Sequence, residues 1–241
     1  MFFRPNRLRA CHVAVAAIAL VSASAAAANI LVVRSSGPSA KAYPPGRSLP
    51  PNARLTLRQG DTLVLLDGRG TRTVRGPGNF AAGAAAQVGT RGALTVNNNG
   101  RIGRVGASRG NPETVRPPSI WHVDVSQSAT ACVADPRSVI LWRPNATQTV
   151  NLSIARSVSA AAPRRFTWTA GQTTLAWPAD LAVENDAEYR LSVEGVAVPT
   201  RIKFRVLPAQ PSGLDAQAQA FIQNACQAQL DVLIDTVTPP G

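Results

Sequence analysis

The sequence contains few of the residues on which catalytic and redox sites most often depend. There are 2 histidines and 3 cysteines in 241 residues, and no Cys-x-x-Cys pair occurs. A zinc site or a thiol–disulfide exchange site is therefore not indicated. The sequence also has no Gly-Lys-Ser/Thr loop and no complete dinucleotide-binding glycine pattern, so no phosphate-binding loop and no cofactor are predicted.

Acidic residues and lysine are scarce as well, which makes the chain strongly basic. Nearly all of the 25 basic residues are arginine, because lysine occurs only at Lys41 and Lys203, and the net charge is +12. A basic surface favours anionic partners such as nucleic acid, acidic glycans or lipid headgroups. An arginine-rich composition inherited from a GC-rich genome is the other interpretation of this charge.

The apolar run near the start of the chain is too short to span a bilayer comfortably. It covers residues 10–21, follows a basic segment and precedes small residues with Ala-x-Ala motifs. This order predicts a signal peptide over residues 1–28, cleaved after Ala25 or Ala28. Cys11 precedes the apolar run, which argues against a lipid-modified cysteine. The protein is therefore expected in the periplasm or outside a bacterial cell, with no transmembrane helix after cleavage.

Residues 29–80 are predicted to form a small β-domain. Apolar and polar residues alternate in short runs bounded by the turn signals Gly60-Asp61 and Asp67-Gly68. The predicted strands cover residues 30–34, 54–58, 62–66 and 71–75, and the last three are expected to form a β-meander. An antiparallel sheet of this size with one apolar face needs a covering layer.

Turn glycines and strand leucines recur in this domain in a recognisable order. They stand at Gly46-x-x-Leu49, at Leu57-x-x-Gly60-Asp61-x-Leu63, and from Thr71 to the Gly-Pro-Gly that ends at Gly78. This arrangement resembles the FecR-like periplasmic β-domain. The resemblance implies a small exported β-fold that meets partners, which would accord with envelope sensing or signalling, and it implies no reaction.

Residues 81–118 are predicted to be a basic linker rich in Gly, Arg and Pro. The segment is interpreted either as a flexible connector or as a loop that lies on an anionic surface. Arginine–glycine segments also bind nucleic acid, but an exported protein rarely meets it. The predicted partner is therefore an envelope protein or an anionic glycan or lipid surface, with no nucleic acid. The predicted contact residues are Arg69, Arg72, Arg75, Arg91, Arg101, Arg104 and Arg109.

Residues 119–208 are predicted to form a second β-domain, a sandwich of immunoglobulin-like type. Seven short runs have strand character, namely residues 120–125, 139–142, 149–154, 165–169, 173–177, 189–193 and 201–206. All four tryptophans fall in this domain, at Trp121, Trp142, Trp168 and Trp177. We expect them to fill the core, since each lies in an apolar strand. A sugar-stacking platform is the alternative.

Residues 212–237 are predicted to form one amphipathic helix that docks on the sandwich. Apolar residues from Leu214 to Val237 recur at helical spacing on one stripe, and glutamines occupy much of the remaining surface. Cys226 lies on that stripe, and Cys132 lies near a predicted strand. In an exported chain this pair is expected to oxidise, so a Cys132–Cys226 disulfide is predicted to join helix to sandwich. Two buried free thiols are the alternative.

Two groups of polar residues are candidates for reactive sites. His122 and Asp124 alternate on one strand face and could act as a base and its orienting acid, although an exposed polar face explains them equally well. Glu184, Asp186 and Glu188 could bind calcium, although carboxylates in a loop are usually only solvated. No catalytic residue and no metal ligand is predicted.

The leading hypothesis is therefore an exported, non-enzymatic envelope protein that binds a protein partner or an anionic envelope polymer. The alternatives are a cell-envelope hydrolase that uses His122 and Asp124, and a structural spacer that presents one domain to another protein.

Overall fold

The computed structural model describes residues 29–84, 115–159 and 161–237, and its fold is mainly β, as predicted. The first unit contains β1 (Ile30–Ser36), β2 (Ser48–Leu49), β3 (Arg54–Leu57), β4 (Thr62–Asp67), β5 (Gly70–Arg75) and β6 (Gly78–Ala81). The second unit contains β7 (His122–Asp124), β8 (Ala129–Val133), β9 (Ile140–Trp142), β10 (Val150–Arg156), β11 (Arg164–Trp168), β12 (Thr174–Ala176), β13 (Glu188–Val193) and β14 (Thr200–Val206). Helices α1 (Leu214–Gln223) and α2 (Gln227–Val237) follow. The predicted signal peptide and most of the predicted linker lie outside the described residues.

Strand β1 is the central element of the first unit because both of its faces are buried. It lies in a four-stranded sheet of order β2-β1-β4-β5, while β3 and β6 form a separate two-stranded sheet. On one face, Ile30 and Val32 pack in a cluster with Leu55 of β3. On the other face, Leu31 and Val33 pack against the C-terminal helices. Burial on both faces accounts for the continuous apolar run at the start of β1, which does not alternate with polar residues.

The predicted meander is wrong in one pairing, because β3 pairs with β6 and not with β4. The predicted β4–β5 hairpin is present. A corner separates β3 from β4: the Asp61 carboxylate accepts hydrogen bonds from the backbone N–H groups of Ser39 (2.8 Å) and Arg58 (2.5 Å). Gly76 passes close to this corner, where an added Cβ would lie 2.0 Å from the Arg58 carbonyl oxygen. This close crossing carries the chain from one sheet to the other.

The second unit is a β-sandwich. A five-stranded sheet of order β11-β10-β13-β14-β8 faces a three-stranded sheet of order β12-β9-β7. An observed strand overlaps each of the seven predicted runs. Strand β8, which was not predicted, pairs in parallel with β14 at the end of the larger sheet. Its Ala-Thr-Ala-Cys-Val sequence carries few of the residues that favour strands.

Two of the four tryptophans, Trp168 and Trp177, lie in the core cluster of the sandwich, as expected. Trp142 is also buried (3% exposed) but lies outside that cluster, because Leu141 beside it on β9 faces the core and strand alternation turns Trp142 to the opposite face of the sheet. Trp121 lies instead in the helical layer, where its ring meets Phe221 of α1 edge to face at a centroid distance of 5.7 Å. The aromatic residues therefore anchor both the sandwich and its contact with the helices.

The prediction of one continuous helix over residues 212–237 is wrong, since the chain breaks between α1 and α2. Ala225 adopts a left-handed conformation with φ 57°, which no continuing helix allows. The last turn of α1 is closed by two hydrogen bonds, from Asn224 Nδ2 to the Ala220 carbonyl (2.9 Å) and from the Cys226 N–H to the Phe221 carbonyl (2.8 Å). Within the described ranges, neither helix has the length and apolar character of a bilayer-spanning segment.

The two helices pack against both β-units, so the predicted docking on the sandwich is only part of their role. Their buried cluster includes Leu31 and Leu66 from the first unit and Leu207 from the second, together with Phe221 and Leu233 of the helices. An ion pair between Arg34 of β1 and Asp231 of α2 lies at the edge of this cluster. The helical pair therefore supplies the covering layer that the first sheet requires.

The predicted disulfide between Cys132 of β8 and Cys226, which directly precedes α2, is present. Gln229, on the first turn of α2, adds a second connection between the same two elements. Its Oε1 accepts from the Cys132 N–H (2.6 Å), and its Nε2 donates to the carbonyls of Cys132 (2.9 Å) and Ile120 (2.7 Å). The amide side chain thus bonds to β8 as a neighbouring strand would, and it satisfies polar groups that the helix would otherwise bury unpaired.

Candidate binding surface

The three predicted contact arginines that the structure describes lie on the β4–β5 hairpin, but they are not equivalent. Arg72 is paired with Asp67 at 2.7 Å, and both side chains are nearly buried, at 10% and 11% exposure. Burial alone would raise the pKa of Asp67, but hydrogen bonds from the Arg69 N–H and from Arg72, with the charges of both arginines, hold it below its ordinary value. Arg72 therefore stabilises the hairpin and is poorly placed to contact a ligand.

Arg69 and Arg75 remain exposed on the first unit. The Arg69 side chain is 73% exposed and lies 3.6 Å from Asp67, and Arg75 lies on β5, at the end of its sheet. Charged residues at a sheet edge also discourage unwanted strand pairing, so this location has a structural explanation as well. The other predicted contact residues, Arg91, Arg101, Arg104 and Arg109, lie outside the described residues.

The two residues of the hydrolase hypothesis have different hydrogen-bond partners. His122 Nδ1 lies 2.8 Å from Ser119 Oγ. Asp124 accepts from the N–H and hydroxyl of Ser126 (2.8 and 2.6 Å) and from Gln127 Nε2 (3.0 Å). The Asp124 carboxylate thus stabilises the turn after β7, and the geometry gives no support to a role in orienting His122.

The carboxylates considered for calcium are likewise engaged with separate partners. Glu184 pairs with Arg156 at 2.8 Å, and Glu188 accepts from the Ser157 hydroxyl at 3.0 Å. Asp186 pairs with Lys203 and Arg205 of β14. In the part of the chain that the structure describes, no group of three or more His, Cys, Asp or Glu residues is arranged to hold a metal ion.

The outer face of the five-stranded sheet carries a group of arginines that the sequence analysis did not single out. Strand alternation and register determine which side chains share this face. Tyr189, Leu191, Ile202 and Phe204 point into the core, so Arg190 of β13 and Arg201 of β14, which stand directly opposite each other, point outward. Arg165 of β11 pairs with Ser153 of β10, which in turn pairs with Ser192 of β13, so these three side chains also point outward.

We name this set, comprising Arg165, Arg190 and Arg201, the cationic face. Among the described residues, no acidic side chain forms an ion pair with any of the three. Two like charges directly opposite on neighbouring strands are destabilising. The Arg190–Arg201 pair therefore carries an electrostatic cost that an external anion would relieve.

The neighbouring cations on β14, unlike those of the cationic face, have an acidic partner. Lys203 Nζ lies 3.1 Å from Asp186, and Arg205 also pairs with Asp186. The hydrogen bond from Lys203 is the chief reason why the pKa of Asp186 lies below its ordinary value. Asp186 therefore remains ionised near neutral pH and offsets part of the charge of this strand.

Small polar side chains form the floor beside these arginines. A shallow depression of about 540 Å³ on the outer face of β10, β11 and β13 is lined in part by Ser153, Arg165, Thr167 and Ser192. At its border, Asn151 Nδ2 donates to Glu194 at 2.7 Å. The depression thus offers one cation, three hydroxyl groups and one carboxylate, and Leu152, Phe166 and Val193 complete its lining.

The strand alternation of residues 201–206 contained a signal for part of this surface, since all three of its outward positions are cationic. That Arg190 stands opposite Arg201 could be predicted only with the pairing register of the two strands, which the sequence does not specify.

The chain matches no protein-family model, no curated protein and no solved structure. The surface is therefore interpreted from its own chemistry.

Proposed function

We propose that this chain is an exported, non-enzymatic protein of a bacterial envelope that binds an anionic envelope polymer or a protein partner with an acidic surface. The observation that carries the proposal is the Arg190–Arg201 pair, in which two exposed arginines stand directly opposite each other on neighbouring strands without an acidic partner among the described residues. Arginine binds carboxylates and phosphates through two parallel hydrogen bonds, which suits it to anion recognition.

Export is part of the same proposal and is supported by two features. The disulfide joins Cys132 to Cys226 across 94 residues, and such bridges persist mainly in oxidising compartments. The sequence of residues 1–28 has the pattern of a secretory signal. A role in envelope sensing or signalling would accord with the FecR-like pattern of the first unit.

We also propose that the sandwich is of immunoglobulin-like type. Its five- and three-stranded sheets, with β8 parallel to the last strand, support this assignment. So does Tyr189, whose hydroxyl donates to the Ala182 carbonyl at 2.5 Å, because a tyrosine that bonds back to the preceding loop is a hallmark of that fold.

The proposed function is tested by retrieving envelope material with the immobilised protein. We expect material to bind at low ionic strength and to elute as salt is raised, because exposed charge pairs are screened. Binding that does not respond to salt would contradict an anionic partner, and the absence of any binding would contradict the proposed function.

A His122→Ala variant serves as the control for the hydrolase hypothesis. It should retain full binding, and the wild-type protein should release no products from the same envelope extract. Product release that depends on His122 would overturn the non-enzymatic assignment.

A further inference from the structure

We propose that the cationic face binds an acidic polysaccharide in which carboxylate-bearing sugars are separated by neutral ones. This inference rests on the proposed function and specifies its ligand. The reasons are the spacing of the three arginines, the chemistry of the floor between them, and the carboxylate at its border.

The spacing of the arginines requires a ligand with more than one anionic group. Arg190 and Arg201 stand on adjacent strands, about 5 Å apart, and together can hold one carboxylate. Arg165 lies two strands from Arg190 and two residues further along the sheet, about 12 Å away. One carboxylate cannot bridge that distance, so a second acidic group must follow at least one intervening unit.

The floor between these positions suits a hydroxylated unit. Ser153 and Ser192 are paired neighbours on β10 and β13, in the row that contains Arg165, and Ala155 lies opposite Arg190. Serine hydroxyls donate and accept hydrogen bonds, as sugar hydroxyls do. The small side chains leave the surface flat enough for an extended chain to lie across the strands.

Glu194 distinguishes an alternating polymer from a uniformly acidic partner. It borders the depression and holds Asn151 at 2.7 Å. Its charge repels a polyglutamate segment or a dense anionic surface at that end, whereas a neutral sugar can donate hydroxyl hydrogens to it. An alternating chain places its charge at the arginines and its neutral sugar near Glu194.

The distribution of apolar groups argues against a bilayer or a typical protein partner on this face. The exposed valines near this sheet lie in loops beyond the ends of the paired strands: Val158 (86% exposed) follows β10, and Val196 and Val198 (57% and 76% exposed) connect β13 to β14. The outward residues of the cationic face and its floor are arginine, serine, threonine and alanine, and the aromatic residue that lines the depression, Phe166, packs against the sandwich core. Protein interfaces are usually anchored by aromatic residues, and membrane contact needs an apolar group that enters the lipid.

The test compares the binding of purified protein to four probes. They are hyaluronate, in which uronic acid alternates with a neutral sugar, neutral dextran, polyglutamate, and vesicles of phosphatidylglycerol and phosphatidylcholine in equal parts. We expect salt-sensitive binding to hyaluronate, at least about tenfold weaker binding to polyglutamate, and none to dextran or vesicles. Equal or stronger binding to polyglutamate would overturn the assignment to an alternating glycan.

Variants identify the surface that is responsible. Arg190→Gln and Arg201→Gln should each weaken hyaluronate binding about tenfold. The matched control combines Arg69→Gln with Arg75→Gln on the first unit and should leave binding unchanged. If only the control weakens binding, the inference falls while the proposed function stands. If neither hyaluronate nor envelope material binds, both fall.

Vesicle binding distinguishes a membrane ligand from a polysaccharide ligand. Vesicle binding that is lost in a Val196→Asp/Val198→Asp variant would assign this end of the sandwich to a membrane and overturn the inference. Hyaluronate binding that is unchanged by those two substitutions supports it.

Discussion

Replacing Gln229 by leucine should destabilise the protein far more than its size suggests. The substitution nearly conserves volume but removes one acceptor and two donors from a side chain that is 5% exposed. It leaves the N–H and C=O of Cys132 and the C=O of Ile120 without the partner that now satisfies them. Each unsatisfied group costs about 1–3 kcal/mol, and added apolar burial returns about 1 kcal/mol. We expect the free energy of unfolding to fall by about 3 kcal/mol.

Urea denaturation monitored by tryptophan fluorescence measures this loss as a lower midpoint at an unchanged m-value. Gln223→Leu, at an exposed position at the end of α1, is the matched control and should change stability by less than about 0.5 kcal/mol. A Gln229→Glu variant should regain stability as the pH falls, because only the protonated carboxyl can donate to a carbonyl. A loss below about 1 kcal/mol for Gln229→Leu would refute the view that this amide ties α2 to β8.

Three further predictions concern other polar and covalent connections. Arg143 is buried, which lowers the pKa of its guanidinium, and it donates to several loop carbonyls and stacks on a tryptophan ring. Arg143→Met should therefore lower the free energy of unfolding by about 2–4 kcal/mol in urea denaturation. Arg137→Met, at an exposed position, is the control and should lower it by less than about 0.5 kcal/mol. A double Cys132→Ala/Cys226→Ala variant should lose up to about 4–5 kcal/mol in the same assay, and an unchanged midpoint would contradict a stabilising bridge. The pKa of Asp67 is depressed in the folded state, so its contribution is present above its unfolded pKa of about 3.9 and is lost as the pH falls through the lower folded value. Asp67→Asn should therefore be less stable than wild type near neutral pH and lose less stability on acidification, and parallel pH profiles would contradict this assignment.

Local patterns in the sequence were sufficient to predict most strands. Arg201 to Val206 alternates polar and apolar residues without interruption and forms β14, and the two cysteines were correctly paired from their positions on apolar elements. Pairing partners were harder to predict because they depend on contacts distant in sequence. Nothing within β3 indicates that it leaves β4 for β6. The pairing of β3 with β6 is determined by the corner at Asp61 and by the close approach of Gly76 to that corner.

The helix break and the cationic face illustrate the same limit. Asn224, the C-cap of α1, is a residue type that commonly ends helices, but the apolar stripe continues past it and favours one long helix. The left-handed residue is Ala225, and nothing in the helix propensity of alanine predicts that conformation. A loop of six residues, 194–199, separates β13 from β14, and only the observed register places Arg190 directly opposite Arg201. Asp186 pairs with two neighbouring cations from a loop position that no strand pattern reveals.

Peptide mass mapping of the protein isolated from the envelope fraction of its own cells tests the account most directly. The digestion is performed without reducing agent. The account predicts one cross-linked species containing Cys132 and Cys226 and an amino terminus that begins after Ala25 or Ala28. Recovery of both thiols in the free form, with residues 1–28 still attached, would contradict both export and the oxidised connection between β8 and α2.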